Sequence, residues 1–142
     1  MRWLALDVGA KRVGVASSND DETVVTPLRP LVYRGPEATA EAVVRRVTES
    51  GADAVVVGVP LTRSGHGRGM RRIEAFLGAI RARLEVPVET TDERGTTRDA
   101  SELLAQAGVG GRRRAEAIDS TAAQLILERH LAQRRSTRDR RR

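Results

Sequence analysis

The sequence predicts one α/β domain, a mixed five-stranded sheet flanked by helices in the order βββαβαβαα. Three observations predict it. Residues 2–8 and 12–18 read as two short strands joined by a tight turn at Gly9-Ala10-Lys11, where Gly9 is expected to take a positive φ. Ala54-Val55-Val56-Val57-Gly58-Val59 is an unbroken β-branched run, the pattern of a central strand buried on both faces. Between and after these runs, apolar residues recur at helical spacing, so later strands and helices alternate.

The elements follow in order. A polar turn, Asn19-Asp20-Asp21-Glu22, leads into a third strand over 26–33. Residues 37–50 place Ala40, Val43, Val44 and Val47 on one helical stripe, and Gly51 stands where a helix cap belongs. Pro60 to Gly69 reads as a mobile loop, with Gly65, Gly67 and Gly69 giving it freedom. It lacks the frame of a nucleotide-binding P-loop. His66 in that loop is either a proton shuttle or incidental. Met70, Ile73, Leu77, Ile80 and Leu84 mark the next helix. A strand over 86–90 comes next, then a helix begun by the capping box Thr96-x-x-Asp99, with Leu103 and Leu104 inward and Gly108 at its end. The final helix is expected over 114–133, with Ile118, Ala122, Leu125 and Ile126 facing in. The domain therefore spans 1–133, and 134–142 is expected to be a basic, disordered tail.

Composition narrows the function. No apolar run approaches the length of a membrane span, and the N-terminus enters a strand directly, so a cytoplasmic protein is expected. The chain has no cysteine, which excludes a disulfide scaffold and a thiolate metal site. Of its 25 basic residues all but Lys11 are arginine, and the tail alone carries +5 of the net +6. That tail suits either a solvated terminus or non-specific phosphate contact. Trp3, Tyr33 and Phe76 are the only aromatics, which argues against modules that read single strands by stacking bases on exposed rings. A nucleic-acid partner would be held mostly through backbone and shape.

Three carboxylates carry the chemistry. Asp7 ends the first apolar run, Glu93 follows the 86–90 run, and Asp119 falls on or beside the apolar stripe of the last helix. Open α/β sheets bind ligands at the carboxyl ends of their strands, and Asp7 and Glu93 both belong there. An unpaired carboxylate beside a buried stripe is costly, and a hard divalent cation such as Mg²⁺ offsets that cost with oxygen ligands. Together with the glycine-rich loop and the arginine surplus, the three acids point to a metal-dependent nuclease. Each also has a plainer reading. Asp7 could cap a turn, Glu93 could pair with Arg94 or Arg98, and Asp119 could meet a helix dipole. Lys11 and Arg12 lie beside Asp7, where they steer a phosphate or simply decorate a hairpin. Arg94 is placed to orient Glu93. Arg112, Arg113 and Arg114 form the main basic patch of the body, suited to nucleic acid.

These segments resemble the YqgF/RuvX family, whose members are described as Holliday-junction resolvases and as nucleases of the small-subunit ribosomal RNA precursor. The resemblance rests on Leu6-Asp7-Val8-Gly9-Ala10-Lys11-Arg12-Val13-Gly14-Val15-Ala16, on Val56-Val57-Gly58-Val59-Pro60-Leu61, on Asp92-Glu93-Arg94 with Thr96-Thr97, and on Ile118-Asp119-Ser120 with Ala122-Ala123. It covers about residues 2–132. It implies a ribonuclease-H-like fold with Asp7, Glu93 and Asp119 as catalytic acids binding Mg²⁺ or Mn²⁺. Ala10 stands where the family usually has threonine, Gly95 where it has a bulky apolar residue, and Thr62 and Ser64 where it often has Asn and Asp. These departures bear on substrate preference and leave the acids intact.

Two substrates fit within that class. Processing of the 16S ribosomal RNA precursor, a step in ribosome biogenesis, needs one site that contacts 2′-hydroxyls. Resolving a four-way DNA junction, a step in DNA recombination, needs two symmetric sites and hence a homodimer. A non-catalytic RNA-binding maturation factor is the alternative. An actin-like nucleotide-binding protein is a weaker one, because 142 residues cannot build two domains around a cleft.

Overall fold

The computed structural model describes residues 1–60, 68–92 and 111–141, with the side chains of 68 and 111–119 excepted. Five strands are present: β1 (Trp3–Val8), β2 (Arg12–Ser18), β3 (Val25–Val32), β4 (Ala54–Val59) and β5 (Val88–Asp92). Three helices accompany them in the described residues: α1 (Pro36–Ser50), α2 (Arg68–Arg83) and α3 (Gly111–Arg140). The expected helix over 96–107 lies outside the described residues.

The strands form one sheet in the order β3-β2-β1-β4-β5. β1, β2 and β3 make an antiparallel meander, while β4 and β5 run parallel to β1. This is the mixed sheet expected from the sequence. Parallel pairing requires crossover connections, and α1 and α2 supply them.

Each face of the sheet buries its own core. Leu4, Leu6, Val13, Val15, Val55 and Val57 meet α1 and α2, with Phe76 and Ile80 fully buried there. Strand alternation sends Trp3, Ala5, Ala16, Ala54 and Val56 to the other face, where Ala123, Ile126, Leu127 and Leu131 of α3 cover them. The inner face of α3 is therefore set by Ala122, Ala123, Ile126 and Leu127, and Leu125 is only half-buried. The small side chains Ala5, Ala16, Ala54 and Ala123 let helix and sheet approach closely.

Local chemistry explains the boundaries. α1 starts with Pro36 at its first position and ends on Gly51, whose φ of 67° lets Ala52 N–H reach the Val47 carbonyl at 3.2 Å. β3 holds Pro27 and Pro30, and its pairing with β2 shifts between Val13 and Val15. Pro30 has no N–H to give the ladder, so a proline-bearing strand belongs at the sheet edge. β5 starts at Val88, two residues later than expected, because Pro87 only accepts: Val55 N–H donates to its carbonyl at 2.9 Å.

Two further expectations are corrected. Gly9 does not adopt positive φ; it is needed because a Cβ there would lie 2.9 Å from the Arg12 carbonyl oxygen, which accepts the Gly9 N–H. Residues 134–140, expected as a disordered tail, are the last turns of α3. Arg134 and Arg138 hold them by reaching Glu22 at 3.2 and 2.6 Å. Glu22 is buried, sits at φ 59°, and also accepts the Trp3 indole N–H at 2.8 Å. Burial alone would raise its pKa. The hydrogen bonds from Trp3 and Arg138, with the charges of Arg134 and the N-terminus, more than reverse that and hold it below the ordinary value.

Candidate active site

Asp7 is the penultimate residue of β1, half-buried, and directly opposite Gly14 of β2. Alternation puts it on the same face as Trp3 and Ala5, the face that α3 covers. One residue earlier, an unbroken row crosses all five strands: Leu28, Val15, Leu6, Val57 and Thr90. Asp7 therefore lies one step beyond this row, toward the carboxyl end of β1.

The same row fixes α3. Ser120 is buried, and its hydroxyl donates to the Leu28 carbonyl at 2.5 Å. The start of α3 is thereby tied to β3 at the row of Leu6, one residue before Asp7. Ala123, Ile126 and His130, further along α3, are buried. The side chain of Asp119 lies outside the described residues.

β5 leads toward the third acid. Its last residue, Asp92, pairs with Val59, two positions past the same row. Glu93 is the next residue in the chain and lies outside the described residues, as does Arg94. Three separate elements thus carry, or lead directly to, the expected acids at one end of the sheet. Among the described residues no group of three or more His, Cys, Asp or Glu is arranged to hold a metal ion. Of the expected triad, only the side chain of Asp7 belongs to the described residues. The donor chemistry does suit Mg²⁺ or Mn²⁺: three carboxylates and no thiolate form an all-oxygen set.

The surrounding candidates divide. Lys11 is exposed and Arg12 half-buried in the β1–β2 connection, beside the strand end that carries Asp7. The side chains of Arg112, Arg113 and Arg114 lie outside the described residues, as do Gly65, His66 and Gly67. Gly69 is not part of a mobile loop, because α2 already begins at Arg68.

Sequence reasoning missed two features here. One is the Ser120 hydroxyl, which positions the α3 turn. Its neighbour Asp119 drew attention, but a serine 92 positions from its acceptor leaves no local signal. The other is Tyr33, whose N–H donates to the Lys11 carbonyl at 2.9 Å and whose ring lies under the Arg72 guanidinium at 5.9 Å.

Comparison with known proteins agrees with this fold. A protein of Desulforudis audaxviator named as a pre-16S rRNA nuclease is 38% identical over 140 residues, covering 98% of this chain and 99% of its own. One of Chloroflexus aggregans with the same name is 40% identical over 134 residues, covering 94% of each. In three dimensions the chain is similar to Thermus thermophilus RuvC, solved with a Holliday junction substrate. The TM-score is 0.63 at 16% identity, covering 96% of this chain and 98% of that one. The strand order and flanking helices are those of the ribonuclease-H-like fold. The family described as "RuvX: Holliday junction resolvase" matches residues 1–133, and the chain belongs to that family.

Proposed function

We infer that this protein is a divalent-metal-dependent nuclease that hydrolyses phosphodiester bonds in structured nucleic acid, with the 16S ribosomal RNA precursor as substrate. The observation that carries the reading is the Ser120–Leu28 hydrogen bond. It ties the start of α3, the helix that carries Asp119 in sequence, to the sheet one row before Asp7, and β5 ends at Asp92, the residue before Glu93. Three acids gathered at such a strand end would repel one another, a cost that a divalent cation offsets.

In this reading Asp7, Glu93 and Asp119 hold Mg²⁺ or Mn²⁺. A bound ion would make the attacking water more acidic and offset charge on the phosphate. The chain's own residues do the rest. Lys11 and Arg12 draw the scissile phosphate to the strand end, where arginine pairs with phosphate in bidentate fashion. Arg94 orients Glu93. The α3 face of the sheet, closed by Ala123, Ile126 and Leu127, keeps bulk water from the inner side of the site. Arg112, Arg113 and Arg114 extend the phosphate contacts along the start of α3.

The relatives named as pre-16S rRNA nucleases support the RNA substrate, since they are 38–40% identical over nearly full length. The family description supports a second reading, resolution of a four-way DNA junction. That reaction needs two symmetric sites and therefore a homodimer. Offering both labelled substrates to the protein in Mg²⁺ and Mn²⁺ separates them. Trimming of the RNA alone is expected. Paired symmetric nicks in the junction would instead establish the resolvase, and full turnover of either substrate in chelator would exclude the metal mechanism. Tight RNA binding that survives replacement of all three acids, with no cleavage, would make the protein a non-catalytic maturation factor.

A further inference from the structure

Positive charge is held differently at the two ends of the sheet. At the end remote from Asp7, arginines meet carboxylates: Arg2 reaches Asp20 at 3.2 Å, and Arg134 and Arg138 reach Glu22 at 3.2 and 2.6 Å. At the end that carries Asp7, Lys11, Arg34, Arg71 and Arg72 form no ion pair among the described residues. These four come from three segments that meet around Tyr33. Its N–H donates to the Lys11 carbonyl at 2.9 Å, and the Arg72 guanidinium lies 5.9 Å from its ring centroid. Arg34 is the next residue, and its N–H donates to the hydroxyl of buried Thr39 at 2.9 Å.

Lys11, Arg34 and Arg71 are exposed and Arg72 is half-buried, so their charge faces solvent. Only Glu37 and Glu74 stand against them in the same segments, which leaves a net +2. The patch lies on the α1 and α2 side of the strand ends, whereas Asp7 faces α3. It is therefore placed to touch something larger than the nucleotide being cleaved. Channels for single strands add rings on which bases stack. Here Trp3 and Phe76 are fully buried, and Tyr33 packs edge-on against Phe76 at 6.5 Å. Cations without open rings read phosphates and shape, which is how double-stranded RNA is held.

We propose that Arg34, Arg71 and Arg72, continuing from Lys11, form a landing surface for the phosphate backbone of a duplex arm beside the cleaved strand. The proposal rests on the nuclease reading, and it adds that the substrate keeps a double-stranded segment on the α1 and α2 side of the site. The arm crosses the strand ends, with Lys11 between the landing surface and Asp7. Arg72 exchanges its contact with the Tyr33 ring for a phosphate oxygen.

The test is a salt titration of binding by the full chain in chelator, so that nothing is cleaved. The probes are a blunt RNA duplex and one of its strands alone. Arg34→Gln/Arg71→Gln/Arg72→Gln should lower the log–log salt slope by about 2 to 3 on the duplex and by less than about 1 on the single strand. Arg45→Gln/Arg81→Gln/Arg83→Gln removes three exposed charges further along α1 and α2, and should leave both slopes unchanged. Arg34→Lys/Arg71→Lys/Arg72→Lys keeps the charge and should restore the duplex slope. An unchanged duplex slope overturns the surface. So does an equal fall on the single strand, an equal fall in the distant variant, or a fall that lysine does not restore. If loss of the Arg72–Tyr33 contact unfolds the triple variant, Arg34→Gln/Arg71→Gln decides, with an expected fall of about 1 to 2 on the duplex. The nuclease reading fails separately. A protein that shows this pattern but never cleaves keeps the surface, and one that cleaves with unchanged slopes keeps only the site.

Discussion

Glu22 joins the two ends of the chain: Trp3 of β1, and Arg134 and Arg138 of α3, all converge on its carboxylate. Glu22→Ala leaves two arginines and an indole N–H without that acceptor. The cost should be roughly 1–3 kcal/mol, less than for a fully buried pair because Arg138 is half exposed. Thermal melting should fall by about 3–10 °C; an unchanged melting temperature would make the network ornamental. Its folded pKa is depressed below the ordinary 4.5, so its stabilisation is present above that value and is lost as pH falls through the folded one. His130 acts in the same direction at higher pH. Burial lowers its pKa, Arg134 adds to this, and Glu89 and Glu22 oppose it. Its Nε2 lies 3.3 Å from Glu89 Oε2 but off the line of a hydrogen bond. A depressed histidine gives stability that is complete above the ordinary 6.5 and declines as pH falls from there. Melting between pH 7 and 5 should therefore slope downward in wild type and flatten in His130→Gln. An equal slope in both would remove His130 from the account. None of this was legible at residue scale. Glu22 sits in a run of acids that reads as an exposed turn, and its two arginine partners are more than a hundred positions away.

At the scale of elements, α3 organises both the core and the site. Leu127→Ala should cost about 2–5 kcal/mol, since Leu127 is fully buried between α3 and the sheet. A loss under 1 kcal/mol by denaturant titration would mean that α3 packs loosely. The sequence periodicity located this helix but set its inner face partly off, favouring Leu125 over Leu127. Two adjacent buried positions per turn, with alanines among them, blur the stripe. Strand order was more accessible. The β-branched run at 54–59 has to be central, and two prolines confine β3 to an edge. The start of β5 was misplaced by two residues because Val86 and Pro87 continue the apolar pattern without joining the ladder. Its end moves by the same two residues, from Thr90 to Asp92, which makes Glu93 the residue immediately after the strand.

For the whole molecule, charge is less concentrated in effect than in sequence. Two of the six terminal arginines are occupied by Glu22, which leaves Arg135, Arg140 and Arg141 as the described ones outside that network. Replacing those three with glutamine keeps the Glu22 network. It should lower the salt dependence of RNA binding by a log–log slope of up to about 2 to 3. An unchanged slope would make the helix end a structural extension alone. The fold and the family were legible because each rests on contiguous motifs. The tether at Ser120 and the Tyr33–Arg72 pair were not, because each joins residues far apart in the chain.

The central claim is that Asp7 is a working ligand at the meeting point of β1, β5 and α3. Single-turnover cleavage of ribosomal precursor RNA in Mg²⁺ by wild type and by Asp7→Asn tests it most directly. Loss of a neighbour that merely orients a metal ligand costs about 10- to 100-fold, so loss of the ligand itself should cost about 100-fold or more with melting unchanged. Cleavage by Asp7→Asn within about 3-fold of wild type, far inside that range, would contradict the account.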